Sequence, residues 1–162
     1  MRYLFALAFT LFALNLSAQD MLPNIKVNDM DGQAVEVSDF GKDGKITIFS
    51  FWATWCSPCK KELNNLVDLY DEWLADEIPV EIVAVSIDDQ RNVSKIKPYV
   101  NGQAWEYTVL LDTNQDLMRS LAIQNVPYTL MVDQKGEIIY RHSGYVEGDE
   151  YELEDKIFEL IE

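Results

Sequence analysis

Two cysteines three residues apart, Cys56 and Cys59, are the only cysteines in the chain, and they stand where a strand pattern gives way to a helix pattern. Upstream, Lys45-Ile46-Thr47-Ile48-Phe49-Ser50-Phe51-Trp52 is β-branched, aromatic and short, which predicts a buried strand. Downstream, Leu63, Leu66, Val67, Tyr70, Trp73 and Leu74 recur at spacings of three and four, the stripe of an amphipathic helix. The cysteines therefore fall at a strand-to-helix junction. The first turn of a helix carries unpaired N–H groups and a partial positive charge, both of which stabilise a thiolate. Pro58 suits an early helical position, where its missing N–H costs little. Cys59 extends the apolar stripe one turn back, and Cys56 lies a further turn back, at the helix tip. The pattern predicts an exposed attacking sulfur at Cys56 and a shielded resolving sulfur at Cys59.

Other uses of the pair are a static disulfide or part of a metal site. A bridge closing so short a loop constrains the unfolded chain only weakly. A structural zinc site takes four Cys or His ligands, and the chain offers two cysteines and one histidine, His142. Redox chemistry at the dithiol is the stronger reading.

Phe51-Trp52-Ala53-Thr54-Trp55-Cys56-Ser57-Pro58-Cys59-Lys60-Lys61-Glu62 resembles the active-site segment of the thioredoxin superfamily. It is most similar to the exported TlpA/ResA-like branch, and the likeness runs over residues 21–162. The resemblance implies an α/β thioredoxin fold, a central mixed sheet flanked by helices, with an added N-terminal β-hairpin. It implies thiol–disulfide exchange without an organic or metal cofactor: Cys56 attacks a protein disulfide and Cys59 resolves the mixed disulfide. It also implies protein substrates carrying disulfides or dithiols, a membrane thiol–disulfide electron donor, and a role as reductant in cytochrome c maturation. A monomer is expected.

Three further positions carry the likeness. Pro127, in Val126-Pro127-Tyr128-Thr129, matches the cis-proline that faces the dithiol, where the Val126 backbone can pair with an extended substrate segment. Glu62 matches the acid of a CxxCxxE pattern, which implies a carboxylate that takes the Cys59 proton. A first-turn Glu complementing the helix dipole is the plainer reading. Trp55 matches the tryptophan that shields the dithiol, while Trp52 has an equally good reading as core. Two positions depart from the pattern: Ser50 stands where thioredoxin has a buried Asp, and Leu63-Asn64 follows Glu62 where the branch often has Pro. A thiol peroxidase is a second function class, but the Pro-x-x-x-Thr/Ser-x-x-Cys pattern meets Phe49 and Ala53. A copper chaperone using both thiolates and His142 is a third, though the cysteine spacing is one residue short of that family's usual pair.

Around this centre, Leu22–Val27 and Gln33–Val37 flank a turn and predict the N-terminal hairpin. Residues 80–87 and 105–111 read as strands, 126–132 and 137–141 as a strand–turn–strand, and 114–122 and 150–161 as helices. Asp88 opens a helix or turn running to about Val100, with Pro98 predicting an early end or kink. Residues 1–18 have a positive start at Arg2, an apolar run from Tyr3 to Leu14 and a small-residue end at Ser17-Ala18. This pattern predicts a signal peptide cleaved after Ala18, with an uncleaved anchor as the alternative, and one thioredoxin-like domain over 19–162. No cysteine lies near the cut to carry a lipid. Thirteen basic against 28 acidic side chains give a net charge of −15, which excludes a basic nucleic-acid face.

Overall fold

The computed structural model describes residues 20–161, so the leader predicted over 1–18 and its cleavage site lie outside the described residues. Among the described residues, seven strands form one mixed sheet in the order β2-β1-β5-β4-β3-β6-β7. They are β1 Lys26–Asp29, β2 Ala34–Glu36, β3 Ile46–Trp52, β4 Val80–Ser86, β5 Thr108–Leu111, β6 Tyr128–Val132 and β7 Ile138–Ser143. Four α-helices join them: α1 Ser57–Ala75, α2 Ile96–Gln103, α3 Asp116–Ser120 and α4 Asp149–Ile161.

The centre of the sheet is β3, which is buried at every position, as a strand covered on both faces must be. It runs parallel to β4 with Trp52 opposite Ser86, and antiparallel to β6 with Phe51 opposite Tyr128. Ile46, Ile48, Phe49, Phe51 and Trp52 are fully enclosed, and with Ile82, Val83, Val85 and Leu110 they make the middle of the core. Helix α1 buries Cys59, Glu62, Leu63, Leu66, Tyr70 and Trp73, most of the predicted stripe with Glu62 added, while Val67 is half-buried. Leu74, assigned to that stripe from spacing, is 45% exposed. Trp73 Nε1 donates to Glu154 of α4 at 3.0 Å, so the two helices pack side by side.

Most elements differ from their predicted bounds by a residue or more, and three of the differences have a clear physical reason. The first hairpin strand begins at Lys26, not Leu22, because Pro23 has no N–H and its carbonyl accepts from Ile25 at 3.0 Å, a tight turn incompatible with pairing. The strand predicted from Trp105 starts at Thr108. Trp105 and Tyr107 are buried while Glu106 and Thr108 are exposed, an alternation that imitates a strand although the backbone has only just left α2. Pro98 falls in the first turn of α2. There the missing N–H has no intrahelical partner to lose, so Pro98 opens a helix instead of ending one.

Candidate active site

The strand-to-helix junction is as the sequence predicts. Cys56 is the N-cap of α1, with extended backbone, and its Sγ accepts the backbone N–H of Cys59 at 3.3 Å. Pro58 occupies the first turn. The two sulfurs are joined in a disulfide with Cα atoms 5.4 Å apart. Cys59 is fully enclosed. Cys56, predicted exposed, keeps only 5% of its surface, because its sulfur is turned inward onto Cys59 and the helix N-terminus. The order of the two sulfurs is as expected, but the outer one is a narrow target. Beside it Trp55 stands out of the surface, 64% exposed. Trp52 is fully enclosed, its ring packed edge-on against Trp105 at 5.1 Å, a core residue.

The Val126–Pro127 peptide bond is cis, as predicted. Phe51 pairs with Tyr128, so one step further along the antiparallel register Pro127 comes opposite Trp52, at the end of the sheet that carries the dithiol loop. Val126 lies just before β6 begins, outside the sheet pairing.

Glu62 is a buried acid, 3% exposed. Ser50 Oγ donates to its Oε2 at 3.4 Å, and the Thr129 hydroxyl donates to its Oε1. Burial pushes its carboxyl up to about 7 against the two hydrogen bonds, and the nearby charges of Asp149 and Glu150 add to the rise. The plainer reading, a first-turn Glu complementing the helix dipole, does not fit, because the first turn of α1 carries no acid and the Glu62 carboxyl is enclosed between α1, β3 and β6.

Two residues near the site take up positions that their sequence context does not show. Asp88 is fully buried and holds the dithiol loop: Oδ2 accepts the Thr54 N–H at 2.8 Å, Oδ1 accepts the Thr54 hydroxyl at 2.7 Å, and Ser86 Oγ donates to Oδ2 at 2.9 Å. The parallel register explains the meeting. Trp52 pairs with Ser86, so Thr54 and Asp88, each two residues on, leave the sheet side by side. The helix or turn expected from Asp88 is a turn over residues 90–92, and the Asp88 side chain is committed to the dithiol loop. The polar residues ending two buried strands were the available signal. The second residue is His142, which lies on edge strand β7 with Nε2 3.1 Å from Asp149 Oδ2. Among the described residues no third His, Cys, Asp or Glu joins the sulfurs in a metal-sized cluster. The peroxidase positions, Phe49 and Ala53, are fully enclosed and carry no hydroxyl.

A mixed sheet with a CxxC at a helix N-terminus and a cis-proline at the same sheet end defines a thioredoxin-fold thiol–disulfide oxidoreductase, acting on protein disulfides or dithiols. The chain belongs to the AhpC/TSA family, whose model matches residues 18–141. It is 28% identical over 145 residues to the thiol-disulfide oxidoreductase ResA of Bacillus cereus, covering 86% of this chain and 80% of that protein. A thioredoxin-like protein from Porphyromonas gingivalis, solved in solution, is 41% identical with a TM-score of 0.76, covering 88% of this chain and 92% of that one. StoA from Bacillus subtilis is 25% identical with a TM-score of 0.65, over 84% of this chain and 97% of the other.

Proposed function

We propose that this protein is an exported reductant of protein disulfides, with Cys56 as nucleophile and Cys59 as resolving thiol. The observation that carries the assignment is the position of Cys56 as N-cap of α1, its sulfur accepting an N–H of the first turn. That N–H and the helix dipole favour the thiolate at Cys56 over Cys59. The thiolate attacks a substrate disulfide, one substrate thiolate leaves, and a mixed disulfide forms. Cys59 then attacks Cys56 Sγ, the second substrate thiolate leaves, and the Cys56–Cys59 bridge remains.

Glu62 serves as base for Cys59. A carboxyl with a pKa of about 7 is divided between its two forms near neutrality, so it can both take a proton and give it up. Trp55, Val126 and Pro127 form the substrate platform. Trp55 offers exposed ring surface beside Cys56, and the Val126 backbone, outside the sheet, is free to pair with an extended segment. Export is supported by the leader pattern of residues 1–18, and among the described residues no helix is long and apolar enough to cross a membrane. A thiol reductant outside the cytosol must be recharged, which calls for a membrane-bound dithiol donor. Cytochrome c maturation is the expected setting, and the working unit is a monomer.

The test has two parts. Cys56→Ser abolishes insulin-disulfide reduction; retained turnover overturns the nucleophile assignment. Equilibration of the protein from Gln19 onward with glutathione and dithiothreitol buffers gives the potential of the Cys56–Cys59 pair. A value near thioredoxin's, about −270 mV, supports a reductant, and one near about −120 mV makes the protein an oxidant.

A further inference from the structure

Glu62 has a task the exchange scheme leaves open. Once it has taken the Cys59 proton it must pass that proton to solvent before the next turnover, yet its carboxyl is enclosed. Behind it lies a small cavity of about 10 Å³, the space of a single water. Glu62, Thr129, His142, Tyr145, Asp149 and Glu150 line it.

The cavity lies between the buried Glu62 and the partly exposed His142. The Thr129 hydroxyl donates to Glu62, and Thr129 is the direct cross-strand partner of His142 in the β6–β7 pairing. Paired residues project from the same face of a sheet, so the imidazole lies over the same cavity as the Thr129 hydroxyl. The His142 side chain is 31% exposed, so it meets solvent on its outer side. Asp149 of α4 fixes the ring through Nε2, and Tyr140 stacks on it, ring centroids 6.2 Å apart. The charged and titratable groups facing it are thus Asp149 and Glu150 from α4, Tyr145 from the preceding loop, Tyr140 from its own strand and Glu62 from α1. Imidazole is the side chain that accepts and releases protons near neutral pH.

We propose that His142, oriented by Asp149, is the port through which the proton on Glu62 reaches solvent during the resolving step. This rests on the reading of Glu62 as base for Cys59. The step balances as follows. The Cys59 S–H proton passes to the Glu62 carboxylate as Cys59 Sγ bonds to Cys56 Sγ. The Cys56–substrate S–S bond breaks, and the substrate thiolate leaves with the electron pair. Glu62 passes its proton across the cavity to the neutral imidazole, and the imidazolium releases it to solvent. The substrate thiolate takes its own proton from solvent. His142 acts through Glu62 and is a positioning residue.

The test is stopped-flow mixing of the reduced protein with one equivalent of dithiobis-nitrobenzoate. The first release of nitrothiobenzoate reports attack by Cys56, and the second reports attack by Cys59. At pH 6 in dilute buffer, where much of Glu62 starts protonated and must lose that proton through the port before it can accept the one from Cys59, His142→Ala and His142→Gln leave the first phase unchanged and slow the second by roughly tenfold, less than the ~100-fold or more for removing an acid–base group itself. Added imidazole restores the second phase of His142→Ala, which a packing role does not explain. A second phase at the wild-type rate in both variants, or a slowed one that imidazole leaves unchanged, overturns the port. Glu62→Gln is run alongside. If it slows the second phase while the His142 variants do not, only the port falls; if it changes nothing, the Glu62 reading falls and takes the port with it.

Discussion

Ser50 donates from strand β3 to the carboxylate of Glu62 on helix α1, 3.4 Å away, so the buried acid of this site is delivered by the helix and received by the strand. Ser50 occupies the position where thioredoxin carries its buried Asp. The strand keeps a polar contact there, and the charge has moved to the helix that also carries Cys59. The acid missing from β3 at Ser50, one of the two departures from pattern, is thus offset by the Glu62 carboxyl that α1 supplies.

That buried carboxyl makes stability depend on pH. The folded protein holds the Glu62 proton up to about 7, while the unfolded chain releases it near the ordinary 4.5. Between these values the folded state binds more protons, so stability falls as pH rises through the window. The favourable contribution is complete below 4.5 and lost above about 7, a difference of about 3 kcal/mol. Urea unfolding of the oxidised protein at pH 5 and pH 8 should show this loss in wild type and not in Glu62→Gln. An equal pH response in both would mean that Glu62 is not the group responsible.

Asp88 is expected to govern the dithiol loop without touching a sulfur. Asp88→Ala leaves the Thr54 N–H and the Thr54 and Ser86 hydroxyls short of a buried acceptor. We expect a loss of about 3 kcal/mol, from an unsatisfied buried group costing roughly 1–3 kcal/mol. Alkylation of reduced Cys56 by iodoacetamide should change rate in the same variant, because the loop that sets its backbone has lost its anchor. Wild-type stability and alkylation would show that the clamp has no bearing on the site.

Trp55 separates binding from folding. Being 64% exposed, it can be removed at little cost, within about 0.5 kcal/mol. Trp55→Ala should raise the KM for a protein disulfide several-fold while the reaction with dithiobis-nitrobenzoate is unaffected, since the small disulfide needs no platform. An unchanged KM would remove Trp55 from the substrate surface.

The parts of this site legible in sequence are those fixed by local chemistry. The CxxC junction follows from a strand period meeting a helix period, and Pro127 declares itself because proline is out of place inside a sheet. The turn between β6 and β7 is legible for the same reason: Asp133 Oδ1 accepts the N–H of Lys135 and of Glu137, all within five residues. What sequence does not show is set by register between distant strands. Asp88 reaches Thr54 only because Trp52 pairs with Ser86, and His142 reaches the Glu62 cavity only because it pairs with Thr129. The burial of Cys56 was likewise unreadable, because helix spacing places a residue at the tip without saying which way its sulfur turns.

The most direct test of the division of labour between the sulfurs is a trapping experiment with Cys59→Ser. Incubated with a disulfide-bearing protein, this variant should accumulate a covalent adduct through Cys56, released by dithiothreitol and located by peptide mapping, while Cys56→Ser accumulates none. Adducts on Cys59 in the Cys56→Ser protein at a similar rate, or no adduct in either, would contradict the assignment of Cys56 as nucleophile and Cys59 as the thiol that resolves it.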